Sequence, residues 1–163
     1  MSIAAVKNIL VPIDFSPDSL AATMDGLAMA NLLGAEVTLL HVIHDPLDAP
    51  GFYMEKKKKK KQKKKLQLID DAAQEKLEEF IKEKGVQKQA KNMGVKLHIR
   101  CRRGIPVSQI IRHTEKKDFG MIVMGSSGRT GISSILLGSV AERVVEQSQV
   151  PVLVVKKQKS KKQ

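Results

Sequence analysis

One stretch of the chain has residue types suited to holding an anion. Gly125, Ser126, Ser127, Gly128, Arg129, Thr130 and Gly131 are followed, after an apolar run, by Gly138 and Ser139. Glycines let the backbone approach a ligand closely and adopt conformations in which several N–H groups converge on one anion. Ser139 and Glu142 have the spacing of a capping box, which predicts a helix starting at Ser139. Its free N–H groups and positive dipole end would face the same anion. Asp14 is the second candidate, directly after the apolar run 8–13. A carboxylate there can accept hydrogen bonds from a sugar or help hold a divalent metal. The stretch spells neither G-x-x-x-x-G-K-[ST] nor G-x-G-x-x-G, so spacing alone leaves phosphate binding and ordinary loop geometry both open.

The surrounding elements decide whether these residues can meet. Residues 8–13 form a short apolar run typical of a strand buried on both faces, with Pro12 near its end. Ser16, Pro17 and Asp18 supply a capping hydroxyl, a first-turn proline and a first-turn acid. They open a helix striped by Leu20, Met24, Leu27 and Ala28 and stopped by Gly34. Residues 37–42 are a second buried strand, so a right-handed crossover and a parallel sheet follow.

Residues 44–54 read as loop, and the lysine run at 56–65 as its solvated, self-repelling continuation. Leu66, Ile69, Ala73, Leu77, Phe80 and Ile81 then repeat at helical spacing, with a kink or break predicted near Gly85. A third strand covers 95–101, and a short helix after Pro106 is striped by Val107, Ile110 and Ile111. A fourth strand at 119–124, a helix at 139–147 and a fifth strand at 150–155 complete the chain. Five strands alternating with four helices predict a doubly wound α/β fold with strand order 3-2-1-4-5. Its switch point lies between the first and fourth strands, whose carboxyl ends carry Asp14 and Gly125. One domain over 1–156, with a variable loop at 44–65 and a basic tail at 157–163, accounts for the whole sequence.

Composition narrows the classes. The chain of 163 residues is 42% hydrophobic but only 3% aromatic, so its core must be aliphatic. No apolar run approaches the roughly 18–20 residues that span a bilayer. The single cysteine, Cys101, and the N-terminus without signal-peptide order fit a cytoplasmic protein. The net charge of +12 is local: 14 lysines sit in 56–65 and the tail from Lys156, leaving 15 basic residues against 17 acidic ones. The body is near neutral, and the lysine run offers a nonspecific, salt-sensitive contact with a polyanion. No aromatics interleave it to form a base-stacking platform. His41 and His98 lie within predicted strands, while His44 and His113 have no metal-site spacing with Cys101.

Several blocks, in order, resemble the universal stress proteins. They are Val11 to Ser16, Leu39 to Val42, Gly104 to Pro106, Ile122 to Arg129, Leu136 to Arg143 and Val150 to Val155. Gly125, Gly128, Gly138 and Ser139 fill G-x2-G-x9-G-[ST], the pattern of the ATP-binding subgroup of this UspA-like family. The resemblance implies a Rossmann-like fold of the adenine nucleotide alpha-hydrolase type. It also implies ATP as ligand, with Mg²⁺ or Mn²⁺ as the accompanying cation at Asp14.

By the same resemblance, Asp14 and Val42 would hold the adenosine part, with Pro12 and Ile13 beside them. Gly125, Gly128, Gly138 and Ser139 would surround the phosphates, with Ser126, Arg129 and Val140 nearby, and Met124 would line the pocket. The last strand, Val152 to Val155, would pair with its copy in a homodimer. Function then reads as a nucleotide-dependent stress-response or signalling module. The alternatives are a slow ATPase or self-phosphorylating enzyme, and a polyanion-binding protein that uses Lys56 to Lys65. No base for an attacking water and no Walker lysine stand out. The nine-lysine run and the length of 85–94 depart from the family's usual pattern.

Overall fold

The computed structural model describes residues 6–44, 59–115, 119–127 and 137–156, with 59–65 described as backbone only. The elements are β1 (Asn8–Ile13), α1 (Pro17–Leu33), β2 (Glu36–Ile43), α2 (Lys59–Glu83) and α3 (Val86–Asn92). They continue with β3 (Leu97–Arg103), α4 (Pro106–Glu115), β4 (Met121–Gly125), α5 (Ser139–Gln147) and β5 (Val152–Val155). The five strands form one sheet in the order β3-β2-β1-β4-β5, and every pairing is parallel. The expected fold and strand order are therefore present.

Alternation along the central strands builds two cores. Ile9, Val11, Ile13, Val37, Leu39, Met121 and Val123 pack on one face with α1, α2 and α3. Leu10, Leu40, Ile122 and Met124 point the other way, against Val107 and Ile110 of α4 and Ala141 and Val144 of α5. Helices thus cover both faces, as a parallel sheet requires.

Local signals explain most boundaries. The Ser16 hydroxyl accepts the Ser19 N–H at 3.1 Å, Pro17 opens the helix, and Gly34 ends it in a left-handed conformation at φ 64°. Gly85, at φ 67°, breaks α2 from α3, so the predicted phase slip is a true helix boundary.

Three expectations need correction. The buried face of α1 is Ser19, Ala22, Thr23, Gly26, Leu27 and Ala30, while Leu20, Met24 and Ala28 are half-buried. Hydrophobic spacing does not pick out these small residues, because the close approach of α1 to the sheet selects for volume rather than hydrophobicity. The lysine run is also not loop throughout: α2 begins at Lys59, because lysine is a good helix former and the apolar pattern from Leu66 extends the helix backwards. Lys56, Lys57 and Lys58 lie outside the described residues. Finally, α5 begins at Ser139 as expected, but its N-cap is Gly138, which has no side chain to cap the helix, so Ser139 is not the cap of a capping box.

Candidate functional site

β1 and β4 lie side by side, yet their following helices leave to opposite faces, α1 to one core and α5 to the other. A crevice therefore opens at their carboxyl ends. It widens into a cavity of about 340 Å³, within the range of small-molecule sites. Pro12, Ile13, Leu40, Val42, Pro106, Ile110 and Met124 form its apolar wall. Asp14, Ser19, Gly125, Ser126, Ser127, Gly138, Ser139, Val140 and Ala141 complete the lining.

Ten sequence-predicted residues thus meet at one cavity: Pro12, Ile13, Asp14, Val42, Met124, Gly125, Ser126, Gly138, Ser139 and Val140. Gly128 and Arg129 lie outside the described residues. Ser19, Leu40, Pro106, Ile110, Ser127 and Ala141 also line the cavity and were missed as site residues. Strand alternation could have found Leu40, since it shares the face of Val42 two residues on.

The turn carrying Asp14 is unusual. Phe15 takes φ 67°, the left-handed region that a bulky residue rarely occupies. Four contacts hold it there. Asp14 Oδ1 accepts the Ser16 N–H at 3.0 Å. The Phe15 ring packs on His41 at 4.6 Å and on Phe80 at 5.4 Å. Lys76 Nζ sits 4.9 Å from the Phe15 ring centroid. His41 itself bonds to the Ile13 carbonyl through Nδ1 at 2.8 Å. His41 is therefore a support for the β1 end of the site.

On the opposite lip, Gly125 has a steric reason to be glycine. A Cβ there would lie 2.8 Å from the Asp18 carbonyl carbon and 3.0 Å from the Ser19 nitrogen. The start of α1 thus packs directly on the end of β4. Asp18 extends this contact, its Oδ2 accepting from Ser126 Oγ at 2.9 Å, Ser127 Oγ at 2.7 Å and Ser127 N–H at 3.2 Å. In the sequence Asp18 stands out only as a first-turn acid.

The backbone donors of this lip are also engaged. Ser126 N–H reaches Val155 O at 2.7 Å, and Gly138 N–H reaches Ser126 O at 2.8 Å. The Gly138 carbonyl in turn accepts Glu142 N–H at 2.9 Å. Among the described residues of this lip, the backbone N–H groups placed to bind an anion are therefore those of the first turn of α5, Ser139 to Ala141. N–H groups in a helix's first turn have no intrahelical acceptor.

The remaining candidates are elsewhere. His98 Nε2 lies 2.7 Å from Glu36 Oε2, and Lys96 Nζ donates to Glu36 Oε1 at 3.1 Å. The His98 contact, followed by that of Lys96, holds the Glu36 carboxyl below its ordinary pKa. Arg103 bonds to Asp70 at 2.7 Å and to the Leu66 carbonyl, tying β3 to α2. Cys101 is half-buried, and burial pushes its thiol pKa up, which makes it a poor nucleophile. Among the described residues, no three His, Cys, Asp or Glu side chains cluster as a metal cage. No helix among them is long and apolar enough to cross a membrane.

The universal stress protein family profile matches residues 5–156. Universal stress protein MJ0531 of Methanocaldococcus jannaschii is 39% identical over 153 residues, covering 94% of this chain and 84% of that protein. Universal stress protein MJ0577 of the same organism is 34% identical over 157 residues, covering 94% of this chain and 97% of that protein. The solved structure of MJ0577 superposes with a TM-score of 0.66 over 95% of this chain and 99% of its own. The Archaeoglobus fulgidus universal stress protein, solved in complex with dAMP, shares the fold at a TM-score of 0.59 and 20% identity, covering 92% of this chain and 98% of its own. From the matched span, the 39% relative and the common sheet, the chain belongs to the universal stress protein family.

Proposed function

We propose that this protein binds ATP in the cavity between β1 and β4 and acts as a nucleotide-dependent stress-response or signalling module. One observation carries the reading. The first turn of α5 borders an apolar-walled cavity, and its N-cap is a glycine with no side chain to cap it. Its N-cap, Gly138, has φ −66° and ψ 148°, a conformation open to any residue. Backbone geometry therefore does not require glycine at this position, whereas close approach of a phosphate would.

The rest of the lining suits the same ligand. In this reading the apolar lining of Leu40, Val42, Ile110 and Met124 takes the planar base, and Asp14 accepts from the ribose hydroxyls. Gly128 and Arg129 complete the phosphate end in this reading. The dAMP complex of the Archaeoglobus fulgidus protein supports a fold able to carry an adenine nucleotide. A Mg²⁺ or Mn²⁺ ion fits Asp14 only in the manner of ions that keep phosphate and water ligands, because the one carboxylate among the described lining residues cannot form an all-protein cage.

Two further parts belong to the proposal. β5 is a sheet edge on which Leu153 is 38% exposed, and Val145 of α5 is 46% exposed, which supports a homodimer built on the last strand. The protein would work in the cytoplasm, where ATP is abundant.

Gly138→Glu tests the site. Glutamate fits the backbone and can serve the helix end, but its carboxylate would stand where a phosphate must bind. Calorimetric titration should show ATP binding to the wild type and none to the variant, at an unchanged melting temperature. Equal ATP affinity in both would refute the site.

A further inference from the structure

The polar lip of the cavity is wired away from the ligand space. Ser126 and Ser127 both line the cavity, and both hydroxyls donate to the same oxygen of Asp18, at 2.9 and 2.7 Å. An ionised carboxylate only accepts, and a serine hydroxyl has one proton to give. Both protons are thus directed at α1, and the two serines present oxygen lone pairs to the cavity. The Ser127 N–H also points to Asp18, at 3.2 Å.

We propose that Asp18 is a specificity-determining positioning residue, which sets how strongly each added phosphate contributes to binding. The inference rests on the nucleotide reading above. A lip of acceptor oxygens backed by a carboxylate opposes an anion, while the first turn of α5 across the Gly138–Ser126 hydrogen bond attracts one. The two effects act on phosphate and leave the base untouched. With Asp18 charged, an adenine ligand gains less from its phosphate chain than the helix end alone would provide.

A purely structural role is the competing account, since Gly125 packs within van der Waals contact of the Asp18 backbone. A strut would change stability, or weaken all ligands alike. A charge that selects among ligands changes their ratio.

The test is calorimetric titration of wild type and Asp18→Asn with adenosine and with ATP, in EDTA to remove divalent ions. In Asp18→Asn the ATP-to-adenosine affinity ratio should rise about tenfold, with adenosine affinity within about twofold of wild type. An unchanged or lowered ratio would overturn the proposal while leaving the nucleotide site intact. If the wild type binds neither ligand, the nucleotide reading fails and this inference with it. Circular dichroism checks folding, and if the Asn variant does not fold, neutral Asp18→Ser is judged by the same ratio.

Discussion

α1 and α2 rest on the same face of the sheet, but they are held there differently. α1 meets β1 and β4 through Leu27 and, around it, Ser19, Ala22, Thr23, Gly26 and Ala30, whose small side chains let the backbones approach closely. A Cβ on Gly26 would come within 2.9 Å of Val11 Cγ2, and one on Gly125 within 2.8 Å of the Asp18 carbonyl carbon. α2 is held over β2 and β3 by a few large anchors, with Leu77 and Ile81 almost wholly buried and Leu68 63% exposed. Its first turns carry lysines and no acid. Backbone contact fixes Asp14, Asp18 and Ser126 relative to one another, whereas side-chain anchors leave the outer helix free to vary on its solvent face. The cavity lies at the tight end, and the unusual lysine run at the loose one.

Four substitutions test this contrast. Leu77→Ala removes a main anchor of α2 and should cost about 3 kcal/mol, read from urea unfolding. A loss below about 1 kcal/mol would mean that α2 is held by something other than its anchors. Gly125→Ala adds one methyl against backbone that cannot move aside, and should cost about 2 kcal/mol. If that variant unfolds at the wild-type urea concentration, the contact between α1 and β4 has the slack denied to it here.

At the loose end, Lys59→Glu exchanges a cation for an anion at a helix N-terminus and should stabilise by about 0.5 kcal/mol at low salt. Its melting temperature should rise slightly and the gain fade with added salt; a fall would show that this lysine is needed. The smallest effect concerns Glu36, whose folded pKa is depressed by His98 and Lys96. Its stabilising contribution is therefore present above its ordinary pKa and lost as pH falls through the lowered one. The urea midpoints of wild type and Glu36→Gln should differ slightly at neutral pH and converge in acid.

The sheet and its order were legible because buried strands and crossover helices have distinct periods. The cavity's position followed from the switch point between β1 and β4. Other features were hidden for physical reasons. The face of α1 is buried through Ser, Thr and Gly, which hydrophobic periodicity does not count. Asp18 meets Ser126 and Ser127 only after the sheet has formed, and nothing in the local sequence couples α1 to that distant loop. The spacing at Ser139 marks where α5 starts, but Gly138 is the extended residue before it and takes the N-cap position, so Ser139 is the first helical residue and not the cap. The lysines of α2 looked like a solvated loop because charge is a poor guide to backbone conformation.

Nucleotide content tests the central claim most directly. Purified protein would be denatured and the released small molecules separated by chromatography, beside Gly138→Glu. The account predicts roughly one adenine nucleotide per chain from the wild type, or stoichiometric uptake of added ATP, and neither from the variant. A wild type that releases no nucleotide and takes up no added ATP would contradict it, and would leave Gly138 and Ser139 as structural parts of an empty crevice.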